Sequence, residues 1–130
     1  MQLARRFSKR LAPGHWVGLI GPLGAGKSVF ARAVGEEWGV KTAMPSPSYT
    51  LMNVHRGRCV IYHIDLYRIG SPDELDFAGL TQYFAGAGIC LVEWPDRACS
   101  VWPEWGWLVR FEVNGPNTRR IAIERFGPAK

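Results

Sequence analysis

Gly21-Pro22-Leu23-Gly24-Ala25-Gly26-Lys27-Ser28 is the stretch that decides the fold of this chain. It fills every fixed position of the pattern G-x-x-x-x-G-K-[S/T]. The residue types answer to one task, the gripping of a phosphate chain. Glycines let backbone N–H groups converge on phosphate oxygens with no Cβ in the way. A helix beginning near Lys27 turns the positive end of its dipole toward the same anion. Lys27 is placed to reach β- and γ-phosphates, and the Ser28 hydroxyl to ligate Mg²⁺. Average residue frequencies produce such a match by chance on the order of once in a hundred or two hundred chains of this length.

The flanks supply the context that this loop needs, a strand before it and a helix after it. Trp16-Val17-Gly18-Leu19-Ile20 is a short apolar run that reads as a buried strand. Ser28 to Trp38 reads as a helix, with Val29, Phe30, Ala33 and Val34 on one face and Gly39 as its stop. Upstream, Leu3, Phe7 and Leu11 recur at every fourth residue, the spacing of a short amphipathic helix ended by Pro13-Gly14.

Downstream, residues 45–50 form a Pro/Ser loop, and residues 49–55 and 59–65 read as two strands around a turn at Arg56-Gly57. Ser71-Pro72-Asp73-Glu74 opens a helix. Ser71 is its N-cap, Pro72 its first position, and Glu74 the residue that closes a capping box. Ile89-Cys90-Leu91-Val92 is another buried strand, closed by Glu93-Trp94-Pro95. Leu108 to Val113 and Arg119 to Arg125 flank Asn114-Gly115-Pro116-Asn117, the signature of a C-terminal β-hairpin. Helices and strands alternate early and strands dominate late. The expected fold is α/β, a mixed central sheet flanked by helices.

Residues 1–130 are expected to form a single compact domain. An apolar content of 47% with 21% charged residues argues against a disordered chain. No apolar run approaches the ~20 residues that span a bilayer. The basic start Met1 to Arg6 has no apolar segment behind it, so no signal peptide is expected. Cys59, Cys90 and Cys99 are odd in number and lack a CxxC spacing, which argues against a disulfide framework or zinc site. A reducing compartment fits, and Cys59 and Cys90 read as small buried hydrophobes. The formal charge of +5 lies within the range that keeps a small domain soluble, so alone it implies no nucleic-acid partner.

A phosphate loop of this kind needs a further acid for the metal or its water. Asp65 and Glu93 both end apolar strands. That is where ligands sit in open α/β sheets, although each also suits a helix cap or a surface carboxylate. His63 alternates with Asp65 on one face of its strand and reads as a core histidine. Ser46 and Ser48 lie in no nucleophile elbow. Trp102, Trp105 and Trp107 read as packing at the edge of a small core, ahead of a platform for stacked bases.

Taken together, these motifs resemble the TsaE (YjeE) family, the ATPases of bacterial tRNA threonylcarbamoyladenosine synthesis. The segments that carry the resemblance are Gly21 to Ser28, Ser46-Pro47-Ser48-Tyr49-Thr50-Leu51, Tyr62-His63-Ile64-Asp65-Leu66-Tyr67-Arg68 and Leu91-Val92-Glu93-Trp94-Pro95. It runs from about Phe7 to Arg125. The resemblance implies a P-loop NTPase fold with weak, Mg²⁺-dependent ATP hydrolysis in the cytoplasm. Its implied cofactors are ATP and Mg²⁺, and its implied partner is a TsaB–TsaD complex. TsaD would carry out the transfer to tRNA, and ATP turnover would reset the complex. The modified adenosine is the one beside the anticodon in tRNAs that read codons starting with A. Contact with tRNA would run through the complex, and no membrane is involved.

The resemblance also implies roles. Gly21, Leu23, Gly24, Ala25, Gly26, Lys27 and Ser28 would bind the nucleotide. Glu93 matches the acid near Mg²⁺, and Asp65 a second acid on the γ-phosphate side. Thr50 lies in a loop resembling a γ-phosphate-sensing switch, and Trp94 packs beside the site. Asp96 and one of Arg119 or Arg120, with Arg120 preferred, approach the nucleotide.

Some positions depart from the family. Pro22 stands where Asp is usual, at a position that is not a main phosphate donor, and Ser28 and Ser48 stand where Thr is common. The family usually carries a short strand before the first helix, with a Ser or Thr near the base. This chain starts inside or just before the helix, so the expectation is that either its start is truncated or it lacks part of the adenine pocket. Two rival functions would make different demands on the chain. A small-molecule kinase would carry a lid-length insertion, which the chain lacks, and a non-catalytic nucleotide sensor would not need both Asp65 and Glu93.

Overall fold

The structure, a computed structural model, describes residues 1–47, 51–71, 73–74, 79–84 and 86–128. Its elements are α1 (Gln2–Ser8), β1 (Trp16–Ile20), α2 (Lys27–Glu37), β2 (Met52–Arg56), β3 (Val60–Asp65), β4 (Ile89–Glu93), β5 (Gly106–Val113) and β6 (Arg119–Phe126). Short 3₁₀ segments cover Thr81–Tyr83 and Pro95–Val101.

The strands form one six-stranded sheet in the order β2-β3-β4-β1-β5-β6. β3, β4, β1 and β5 run parallel, and β2 and β6 close the edges antiparallel. The sheet is therefore mixed, as expected, and β5 with β6 is the C-terminal hairpin. Parallel pairing has a consequence for the site. It brings the carboxyl ends of β1, β3 and β4 together, with Asp65 in register opposite Glu93, and Glu93 opposite Leu19.

Two apolar layers hold the sheet. On one face Val17, Leu19, Ile61, Leu91 and Val109 pack with Phe30, Ala31 and Val34 of α2 and Phe7 of α1. On the other, Trp16, Ile64, Cys90, Val92 and Leu108 pack with Leu66, Leu80 and Phe84. Phe30 is fully buried, its ring 5.9 Å from that of Phe7 and 5.5 Å from that of Phe111. Burial pushes the Cys90 thiol up to about 12, so it behaves as the buried hydrophobe expected of it. Trp102 packs on Trp16 and Phe126, and Trp107 lies buried against Phe7. Both serve the core. Trp105 is half-buried, beneath the Arg125 guanidinium.

Three expectations need correction. Val29, expected on the buried face of α2, is 48% exposed, and Ala31 is buried. At about 100° per residue, the turn that buries Phe30 against α1 swings Val29 to the flank. α1 ends at Ser8 and does not reach Leu11. Residues 10 and 11 continue it with tighter i→i+3 bonds, from the Arg10 N–H to Phe7 and from the Leu11 N–H to Ser8. Pro13 disfavours helical geometry at Ala12, so these turns go no further than Leu11. Finally, the Glu74 carboxylate accepts the N–H of Gly70 at 3.2 Å, one residue before the Ser71 expected for a capping box.

The stop of α2 is as expected. The Gly39 N–H donates to the Glu36 carbonyl and the Val40 N–H to that of Gly35, a pair of bonds that closes the last turn. Pro72, the helix beyond Glu74, and the start of the 49–55 strand lie outside the described residues.

Candidate functional site

β1 delivers the chain to the phosphate loop. Gly21 passes so close to β5 that a Cβ there would stand 2.8 Å from the Phe111 Cβ and 2.9 Å from its carbonyl oxygen. Gly24 and Gly26 have φ of +75° and +104°, the left-handed region that favours glycine. A Cβ at either would meet nothing within 4 Å. The loop thus curls around open space, and α2 begins at its far end.

That space is a cleft of about 270 Å³. Leu23, Gly24, Gly26, Lys27, Ser28 and Val29 line one side, and Asp65, Glu93, Trp94 and Ser46 line the rest. Val29, swung off the core face, has its place here.

Lys27 is 4% exposed. Its ammonium donates to the Gly21 carbonyl and lies 3.5 Å from the centroid of the Trp94 ring. Burial pulls its pKa below the ordinary lysine value. The negative charges of Glu93, Asp65 and Asp96 partly oppose that fall. Asp96 is exposed and outside the cleft lining, so it acts on the site through its charge. Trp94 takes a left-handed backbone, φ 59° and ψ 46°, and its N–H donates to Leu19 at 3.3 Å. Its ring meets that of Tyr67 at 4.9 Å.

The acids meet the helix start. Ser28 Oγ donates to Glu93, 3.0 Å from Oε2 and 3.2 Å from Oε1. Glu93 is 4% exposed, and its Oε2 lies 2.7 Å from His63 Nε2. Asp65 is 6% exposed, and its Oδ1 accepts the N–H of Tyr67 at 2.9 Å. Ser28, Asp65 and Glu93 offer only oxygen donors, the hard set that suits Mg²⁺ when phosphate oxygens complete its shell. A buried ammonium beside an open cradle of glycines suits phosphate equally well. The residues present therefore fit both groups.

Among the other candidates, Ala25, itself part of the loop, is buried. Arg119 and Arg120 are exposed on β6, opposite Val113 and Glu112, and do not line the cleft. Thr50, with Ser48 and Tyr49, lies outside the described residues. The contact that the sequence reading missed is His63 to Glu93. Its signal was the alternation of His63 with Asp65.

A family model described as "Threonylcarbamoyl adenosine biosynthesis protein TsaE" matches residues 1–121. The chain belongs to the TsaE family. Its relatives include proteins named tRNA threonylcarbamoyladenosine biosynthesis protein TsaE. That of Bacillus subtilis is 39% identical over 127 residues, 97% of this chain and 77% of its own length. That of Haemophilus influenzae is 35% identical over 98% of this chain and 85% of its own. That of Treponema pallidum is 33% identical over 87% of this chain and 84% of its own. Among solved structures, Bacillus subtilis YdiB matches with a TM-score of 0.78 and 27% identity, over 98% of this chain and 78% of that one. TsaE membership and the P-loop fold make this a nucleotide-binding protein. Among the described residues no helix is long and apolar enough to cross a membrane.

Proposed function

We propose that this chain binds ATP with Mg²⁺, hydrolyses it, and thereby serves threonylcarbamoyl modification of tRNA. The modified base is the adenosine beside the anticodon in tRNAs that read codons starting with A. The chain works in the cytoplasm with a TsaB–TsaD pair, and tRNA meets that complex. One observation carries the reading: Lys27, Ser28, Asp65 and Glu93 share a single cleft at the carboxyl ends of the strands, in a chain whose relatives are named for this modification.

Each residue has a task. Backbone N–H groups from Leu23 to Ser28 and the start of α2 bind the phosphates. Lys27 binds the β- and γ-phosphates, and Trp94 covers its ammonium. Ser28 and Glu93 hold Mg²⁺, which when bound neutralises charge on the β- and γ-oxygens. Asp65 orients the water that attacks the γ-phosphorus, as the bond to the β-phosphate oxygen breaks and ADP leaves. Thr50 senses the γ-phosphate, while Asp96 and Arg120 act at longer range.

The deciding experiment measures inorganic phosphate released from MgATP, with and without a matched TsaB–TsaD pair. Slow release that rises with the pair is expected. Release needs no acceptor molecule, which separates this activity from a kinase. ATP bound without turnover, even with the pair present, would replace the reading with a nucleotide sensor.

Asp65→Asn isolates the second acid. Asparagine keeps an oxygen for the Tyr67 N–H and removes the charge. Turnover is expected to fall by about 10²-fold, the lower end for a lost general base. ATP affinity and the unfolding midpoint should change far less than turnover. Turnover equal to the parent's would remove Asp65 from the chemistry.

A further inference from the structure

We propose that His63 is a positioning residue for Glu93: its Nε2–H holds Oε2 from beneath and so presents the carboxylate to Mg²⁺. The inference rests on the reading of Glu93 as a metal ligand and goes beyond it. His63 sits on β3 two residues before Asp65, fully buried. Glu93 stands on the neighbouring strand, opposite Asp65. The 2.7 Å separation is that of a strong hydrogen bond to a charged acceptor. A carboxylate only accepts, so the imidazole donates from Nε2.

The second ring nitrogen explains why this is more than packing. His63 Nδ1 is buried with no hydrogen-bond partner among the described residues. A half-satisfied imidazole is a poor choice for a core position. Its neighbours on the same layer, Ile61 and Leu91, show what a purely structural residue looks like here. The sequence keeps a histidine where an aliphatic side chain would pack without an orphaned nitrogen. What the histidine adds is its hydrogen bond to Glu93.

That bond has a reason. A glutamate has three rotatable bonds, and this one carries charge into a nearly closed site. Ser28 and His63 are the donors described on its carboxylate, and both reach Oε2. Oε1 has only the longer Ser28 contact, at 3.2 Å, and is the oxygen left to face a metal or its water. Ser28 turns its hydroxyl freely and has the metal to serve. The His63 ring is locked by burial and supplies the rigid half of the grip. Such partners behind metal-binding groups set orientation and basicity.

The test reads Mg²⁺ binding rather than turnover. ADP affinity is measured by calorimetry in EDTA, and Mg²⁺ affinity is then measured on the ADP complex. The chains are the parent, His63→Gln, His63→Asn, His63→Leu and Glu93→Gln. The glutamine amide nitrogen stands near the imidazole Nε2, whereas that of asparagine stops near Nδ1. In EDTA the parent and the three His63 variants are expected to bind ADP within about threefold of one another. Mg²⁺ affinity should fall about 10–100-fold in His63→Asn and His63→Leu, and His63→Gln should recover most of the loss. His63→Leu suits the apolar layer and keeps the test sound if the asparagine variant fails to fold. Equal Mg²⁺ affinity in all three His63 variants would overturn the inference, whether they match the parent or are equally weakened. If Glu93→Gln alone loses Mg²⁺, only the role of His63 falls. If Glu93→Gln also keeps it, the metal reading of Glu93 falls as well.

Discussion

Lys27→Met is expected to weaken ATP binding by about 100-fold, or roughly 2.7 kcal/mol, and to leave the nucleotide-free chain at least as stable as its parent. The two halves have one cause. The Lys27 ammonium is buried, and its described partners are neutral, the Gly21 carbonyl and the Trp94 ring. Burial is the largest influence on its pKa and lowers it, with the charges of Glu93, Asp65 and Asp96 as a partial offset. A base whose folded pKa lies below its unfolded one costs stability at every pH below the folded value. That cost disappears as the pH rises through the folded value toward 10.5.

Burial therefore works against the charged form of Lys27 in the folded chain. Phosphate adds a counter-charge in direct contact, through hydrogen bonds to a charged group worth about 1.5–3 kcal/mol each. Methionine has similar length, and its sulfur packs well on an aromatic ring. Calorimetric titration with ATP checks the first half. Denaturant unfolding without nucleotide, at neutral and at alkaline pH, checks the second. The stability gap in favour of Lys27→Met should narrow as pH rises. Unchanged ATP affinity would mean that the loop does not grip phosphate through this residue.

The parts of the fold that were legible in the sequence are the local ones. β1, the phosphate loop and α2 follow from an apolar run, three glycines and a helical period within 25 residues, and the hairpin follows from its turn. The stop of α2 was legible because Gly39 closes it through bonds to its own last turn. Misplaced features depend on neighbours distant in sequence. Val29 and Phe30 are equally apolar, and only the seating of α2 against α1 decides which is buried. The strand-end acids were found, but their facing pair was not, because the parallel register of β3 and β4 joins residues 28 positions apart.

Trp94 shows the limit more sharply. A residue before proline is biased toward extended geometry. Here it is left-handed, at φ 59°, a conformation that costs about 1 kcal/mol or more in a non-glycine residue. The sequence locates the end of β4 but not this turn, which lays the indole over Lys27. Such strain persists only where the surroundings impose it, and here it builds a wall of the cleft. Arg120 is the opposite case. Its role came from resemblance alone, and its exposed place on β6 adds no contact to the cleft.

Glu93→Ala is the other large expected effect, a loss of about 10²–10³-fold in turnover, the scale of removing one preorganised charge-stabilising group. ATP binding in EDTA should survive, because the glycines, Lys27 and the start of α2 remain. The alanine variant also strips His63 Nε2 of its acceptor and leaves the buried ring with neither nitrogen paired. That change alone is expected to cost about 1–3 kcal/mol of stability. Glu93→Gln separates the two effects, since its amide oxygen still accepts from His63 while the negative charge is gone. The expected order is therefore a fold nearly as stable as the parent in Glu93→Gln and weaker in Glu93→Ala. Turnover should be lost in both. Turnover that tracks stability, falling in the alanine variant alone, would make Glu93 a structural partner of His63 and Ser28, not a metal ligand. Phosphate release at saturating Mg²⁺, measured beside the unfolding midpoint of each variant, decides between the two roles.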